Sequence, residues 1–394
     1  MIEARTAAWW RATAALCLGS FVVFINLYVP QPLLPELRAA YGISTLGVSL
    51  VMSIATLSLA LSLLVFGPLS DAIGRERIMG YTLFIAGLCS LLLAFAPNIE
   101  TLLLLRFVQG FFLGGLPAVA IAWMGDEFDR PALLSAVGLY IGANSLGGIS
   151  GRVIGGSVAQ WGGASAAFMT VGLMTLVGGI VFWRLLPRSQ AFRPQPFHLP
   201  TALHGLLGHL RSPVLIAAYA LGGINFLIFI NQYSYVTFRL SEAPYQLAAT
   251  SLGLIFLTYL GGTLGSALSG RLASRFSPAR CILLGVAVLM TGTAVTLFEP
   301  LPLIILGLTI NAFGFFLAHS LASGWVGRYA KGARGSASAL YLVFYYVGAS
   351  LGGFWLEPFW RWAGWPGVAI GSWLLLTITL LIAMRMLQME RARG

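Results

Sequence analysis

Gly67-Pro68-Leu69-Ser70-Asp71-Ala72-Ile73-Gly74-Arg75-Glu76-Arg77 is a charged break between two apolar runs, 46–68 and 78–96. A helix needs about 20 apolar residues to cross a hydrocarbon core of roughly 30 Å, and both runs supply them. Two arginines and a turn-permitting glycine between such runs read as a short cytoplasmic loop joining two membrane spans. The same alternation continues outward in both directions, with further apolar runs at 12–33, 101–123, 132–156, 165–186, 213–237, 247–270, 280–298, 302–325, 336–356 and 366–387.

Composition agrees with this reading. Of 394 residues, 58% are hydrophobic and only 9% charged, against about 25% charged in a soluble domain. The first run lacks a small-x-small cleavage site, so it reads as a first span rather than a signal peptide. Cys17, Cys89 and Cys281 lie in separate runs, with no metal-ligand spacing or disulfide framework. With the N-terminus inside, 18 of the 23 Lys and Arg residues fall in cytoplasmic segments and 3 outside, which orients the chain by the positive-inside rule. That asymmetry accounts for the formal charge of +11 without a nucleic-acid partner. The expected setting is the bilayer of a bacterial inner membrane, with both termini cytoplasmic. The expected class is an all-α membrane protein of twelve transmembrane helices.

The longest break, Pro187 to Ser212, is rich in proline and basic residues. It divides the chain into an N-terminal six-helix bundle (1–186), a cytoplasmic linker (187–212) and a C-terminal six-helix bundle (213–394). Leu203–Leu210 reads as a short surface helix. The halves repeat one design: Phe24-Ile25-Asn26-Leu27-Tyr28 recurs as Phe229-Ile230-Asn231-Gln232-Tyr233 at an offset of 205. Gly110-Phe111-Phe112-Leu113 recurs as Gly314-Phe315-Phe316-Leu317 at 204, and Ser145-Leu146-Gly147-Gly148 as Ser350-Leu351-Gly352-Gly353 at 205. Arg130 and Arg334 are 204 apart. Six spans per repeat give both bundles the same topology, pseudo-symmetric about an axis along the membrane normal. A substrate site between them near the midplane, worked by alternating access, is the expectation.

The quoted loop closely resembles the signature loop of the major facilitator superfamily, G-x-L-a-D-r-x-G-r-k. Its second copy, Gly270-Arg271-Leu272-Ala273-Ser274-Arg275-Phe276-Ser277, keeps the glycine and leucine but has Ser274 in place of the acid. Leu102-Leu103-Leu104-Leu105-Arg106-Phe107-Val108-Gln109-Gly110 is similar to the family's l-x-x-x-R-x-x-q-G. Gly138, Gly147, Gly151, Gly155 and Gly156 resemble the glycine ladder of its drug/proton antiporter branch, with Arg152 where that motif carries proline. The resemblance implies a conformational latch of Gly67, Asp71, Gly74 and Arg75. In it Asp71 meets the start of span 11 (Gly335-Ser336-Ala337) and Arg75 pairs with an acid after span 4, for which Asp126 is the candidate.

A buried arginine is costly in a membrane helix, so Arg106 is expected to face a cavity or a partner, with snorkelling as the alternative. The family reading gives it proton coupling or contact with an anionic substrate. Arg152 is read as an anion contact or a partner of Glu357. Asn26, Tyr28, Gln109, Asn144, Asn231, Gln232 and Tyr233 are candidates for the substrate cavity, with interhelical hydrogen bonding as the plainer reading. His319 is a candidate carrier of the coupling proton.

The expected activity is proton-coupled efflux of a small organic molecule. A proton-driven importer or a uniporter of a sugar or organic anion stands beside it, because the middles of the spans hold no Asp or Glu. The implied partners are a small-molecule substrate, protons and lipid, with the monomer as the working unit, no cofactor and the proton gradient as the drive. No nucleophile, metal or phosphate-loop set points to an enzyme. A channel fits poorly with a two-fold repeat.

Overall fold

A computed structural model describes residues 1–189, 208–330 and 334–392, and it is almost wholly helical. Most of the linker, including the first part of the expected surface helix at Leu203–Leu210 and both His198 and His204, lies outside the described residues.

Among the described residues ten helices are long and apolar enough to cross a membrane, two of them of about double length. The chain opens with α1 (Ala7–Tyr28), capped by the Thr6 hydroxyl on the Trp9 N–H. Then come α2 (Leu34–Tyr41), α3 (Thr45–Ile73), α4 (Arg75–Leu93), α5 (Ile99–Leu113) and α6 (Gly115–Glu127). Asn98 caps the start of α5 and Asp129 the helix that begins at Arg130, satisfying N–H groups that a helix beginning leaves orphaned. α7 (Arg130–Leu185) is followed beyond the linker by α8 (Pro213–Ser241), α9 (Ala249–Ile255), α10 (Tyr259–Phe276), α11 (Pro278–Val295), α12 (Leu301–Tyr329) and α13 (Arg334–Arg391).

Spans 5 and 6 were expected as separate helices, and so were spans 11 and 12. The structure merges each pair across a bend: α7 at Gly163 (φ 72°) and α13 at Ala363 and Gly364 (φ 59°). Both helices fold back on themselves. In α7, Gly151 lies against Ile25 while Thr175 bonds Asn26, so positions equally far before and after Gly163 reach one level of α1. In α13 the Trp355 indole N–H donates to the Gly371 carbonyl at 2.9 Å across its bend. Each arm exceeds the length a span requires, so the folded pair of helices brings the described crossings to twelve. A left-handed glycine reverses the chain in one or two residues, too few to interrupt the helix assignment.

The helices gather into two compact units. One comprises Met1–Ile43, Leu50–Ala202 and Ala248–Leu254; the other comprises Ser44–Ser49, Leu203–Leu247 and Ile255–Gly394. Each has the same internal joint. In the first, α1 packs backbone to backbone on α7: a Cβ added at Gly147, Gly151 or Gly155 would meet the carbonyl oxygens of Phe21, Ile25 and Val29 at 2.4, 2.6 and 2.8 Å. In the second, α8 packs on α13, where a Cβ at Gly348 or Gly352 would meet the carbonyls of Gly223 and Leu227 at 2.1 and 2.5 Å. Dispersion and close backbone approach hold helices together where lipid removes the hydrophobic drive.

Candidate functional site

The first unit holds a buried polar cluster that joins five spans. Its centre is Arg106 of α5, with none of its surface exposed. The guanidinium donates to the Val51 carbonyl (3.1 Å), the Asn26 carbonyl (3.1 Å), the Leu27 carbonyl (3.0 Å) and Gln109 Oε1 (2.5 Å). Gln109, one helical turn on, passes its amide to Ser90 Oγ (2.6 Å) and Asn26 Oδ1 (3.2 Å). Asn26 also donates to Thr175 Oγ1 (2.6 Å), and the Ser90 hydroxyl donates to Asn26. The cation is thus spread over carbonyl and amide dipoles, and no carboxylate is among these partners. Such satisfaction is what a buried charge requires.

Arg152 builds a second cluster in the same unit and is 1% exposed. Its Nε donates to Gln31 Oε1 at 2.8 Å, its Nη1 to the Gly148 carbonyl at 2.7 Å, and the guanidinium stacks 4.0 Å from the Tyr28 ring centre. Asn144, half-buried, accepts from the Ser20 hydroxyl.

In the second unit the buried polar cluster is built from neutral amides. Asn311 donates to Gln232 Oε1 (2.7 Å) and to Thr293 Oγ1 (3.1 Å), and Gln232 donates to Thr293 (3.0 Å). Asn231 bonds the Leu227 and Ala349 carbonyls at 2.9 Å each, fastening α8 to α13. The Tyr233 hydroxyl donates to the Leu308 carbonyl at 2.9 Å and pairs with Thr258. His319 is half-buried, with Nδ1 2.9 Å from the Tyr341 hydroxyl and its ring stacked on Phe315.

At the arginine-rich end of the first unit, Arg75 bridges two acids. It donates to Asp71 at 2.9 Å and also pairs with Asp126. Gly74 has φ 105° and starts α4, a backbone that only glycine adopts without strain.

The family model of the Major Facilitator Superfamily matches residues 16–353. The chain belongs to the Major Facilitator Superfamily. The inner membrane transport protein YnfM of Escherichia coli (strain K12) is 36% identical over 385 residues, covering 98% of this chain and 92% of that protein. The uncharacterized MFS-type transporter YybF of Bacillus subtilis (strain 168) is 34% identical over 383 residues, covering 97% and 94%. A bacterial homolog of the human lysosomal transporter Spinster shares the fold at a TM-score of 0.74 and 15% identity, over 97% of this chain and 96% of its own. This Major Facilitator Superfamily chain is therefore a multi-pass membrane transporter.

Several expectations for this Major Facilitator Superfamily transporter change in detail. Gly67 does not turn the chain: α3 runs through it and through Pro68 to Ile73, and Gly74 alone makes the turn. Arg106 was expected to face a cavity or a partner, with snorkelling as the alternative, and it takes partners inside packed helices: three backbone carbonyls and Gln109. Arg152 takes Gln31 and Tyr28 within its own unit, and Glu357 is held by Tyr235 (2.8 Å) and Arg361 (2.9 Å) within the other. Gly138 faces open space and is no part of the packed ladder. Asn26, Gln109, Asn231, Gln232 and Tyr233 all sit in interhelical bonds within their units. Ser90, Thr175, Thr293, Asn311 and Gln31 complete the clusters and were missed. Serine and threonine are common in membrane helices, so only the packing reveals which of them meet.

Proposed function

We propose that this transporter is a secondary active carrier of the bacterial inner membrane that exports a small organic molecule in exchange for protons. The observation that carries the reading is the ladder Gly147, Gly151 and Gly155, pressed on the carbonyls of Phe21, Ile25 and Val29 at a spacing of one helical turn. This is the part of span 5 that resembles the antiporter branch, and here it makes a close α1–α7 joint rather than a chance run of small residues. The scarcity of acids in the middles of the spans favours a neutral or anionic substrate over a strongly cationic one. The aromatic group around His319 (Phe226 stacked 3.6 Å from Tyr345, with Phe315 beside them) suits a planar organic molecule.

Proton-coupled import or uniport of a sugar or organic anion is the second reading, and the lack of a mid-span carboxylate favours its uniport form. Transport in inverted membrane vesicles separates the two. Respiration acidifies the lumen, and an exported compound then enters as protons leave, so antiport predicts a rise in lumenal pH when the compound is added. Saturable uptake with no pH change would replace antiport by uniport.

A further inference from the structure

A cleft of about 660 Å³ opens at the arginine-rich end of the first unit, lined by Arg11 of α1, Glu76 and Arg77 of α4, and Trp183, Arg184 and Arg188 at the end of α7. The proposed transport cycle uses none of these residues. Four arginines face one carboxylate, and that carboxylate is already engaged, since Glu76 accepts the Ser189 N–H at 2.6 Å. Among the described residues none of the four arginines enters an ion pair or a side-chain hydrogen bond. The start of α4 adds N–H groups with no side-chain cap, which favour an anion further.

The walls are built rather than incidental. Gly80 leaves room for the Trp183 ring, which a Cβ there would meet at 2.1 Å, and Tyr81 packs edge-on to that ring at 5.3 Å. The Ser189 hydroxyl donates to the buried Glu127, so the chain leaving α7 is pinned at two points next to Arg188.

An apolar furrow leads away from the cleft. α4 and the second arm of α7 press together at Gly87–Leu176 and Gly172–Leu91. Their outer sides expose Phe84, Leu88 and Leu92 on one helix and Leu173, Val177 and Ile180 on the other. The half-exposed Tyr81 and Trp183 stand where furrow meets cleft, the level at which aromatic side chains settle in a bilayer. Cations above, an aromatic belt between and an apolar furrow below match one molecule from end to end.

We propose that this cleft binds the phosphate headgroup of an anionic phospholipid from the cytoplasmic leaflet, with its acyl chains lying in the α4–α7 furrow. Arginine clusters at the cytoplasmic end of membrane helices suit such headgroups, because guanidinium groups pair with phosphate oxygens in a fork. Each arginine removed weakens binding about fivefold.

The test is native mass spectrometry of the full chain in detergent, titrated with phosphatidylglycerol. The wild type is expected to retain one phosphatidylglycerol and to hold phosphatidylcholine far more weakly. Arg77→Gln/Arg184→Gln is expected to lose affinity about 25-fold, and Arg271→Gln/Arg275→Gln, outside the cleft, to lose none. Arg11→Gln/Arg188→Gln is a second cleft pair should the first pair fail to fold. Equal retention by wild type and both cleft pairs would overturn the site. Equal affinity for phosphatidylcholine would overturn the anionic headgroup. Displacement of the lipid by millimolar glycerol phosphate would overturn the lipid in favour of a free organophosphate.

Discussion

Arg106 is satisfied by three backbone carbonyls and one amide oxygen, contributed by α1, α3 and its own helix. Its removal deletes four hydrogen bonds inside the bundle. At about 0.6 kcal/mol for a hydrogen bond between membrane helices, Arg106→Ala should cost about 2 kcal/mol of stability. Arg106→Lys keeps the charge but not the planar fork, so it should recover only part of that loss. Thermal unfolding of the purified variants reads this directly, and an unchanged midpoint for Arg106→Ala would refute the bracing role. The sequence makes Arg106 conspicuous because a charge in an apolar run is rare. It does not show what meets the charge: backbone carbonyls are present at every position, and only the approach of α1 and α3 selects Asn26, Leu27 and Val51.

Among elements, the joint between α1 and α7 is the most constrained. A methyl at Gly151 would stand 2.6 Å from the Ile25 carbonyl and 2.7 Å from its Cα, so backbone must move. Gly151→Ala is therefore expected to cost about 1–3 kcal/mol by overpacking and to slow transport. Gly142→Ala, where no atom lies within 4 Å, should be silent in both assays. Equal behaviour of the two would remove the joint from the mechanism.

The loop that follows α3 is a second constrained element. Arg75 holds Asp71 and Asp126 together, tying the ends of α3 and α6 to the start of α4. Asp71→Asn should severely slow transport while the protein still inserts, and a normal rate would dissociate this cluster from conformational cycling. Spans, loops and the glycine ladder are legible in the sequence because hydrophobic length and small residues are local properties. The folding-back of α7 and α13 is less so. Gly163 follows Gly162 among small residues, and nothing in that composition distinguishes a one-residue reversal from a loop of several residues.

Across the whole molecule the repeat has diverged in chemistry while keeping its joints. The first unit centres on a guanidinium and the second on neutral amides and a histidine ring. That difference bears on where a coupling proton can ride. Arginine keeps its proton in proteins, and Arg106 is fully engaged, so it suits bracing better than proton shuttling. Among the described residues the titratable side chains left inside the helices of the second unit include His319 and Glu357. Glu357 is engaged by both Tyr235 and Arg361. His319 is half-buried and bonds Tyr341 through Nδ1 among the described residues, so under the proposed antiport its Nε2 is the candidate atom for the coupling proton. His319→Gln should therefore uncouple the carrier: substrate counterflow in vesicles persists, while the rise in lumenal pH on adding substrate disappears. Glu357→Gln should leave proton release intact. If His319→Gln still releases protons with each substrate and Glu357→Gln does not, the coupling site belongs to Glu357, and His319 is left as part of the aromatic wall.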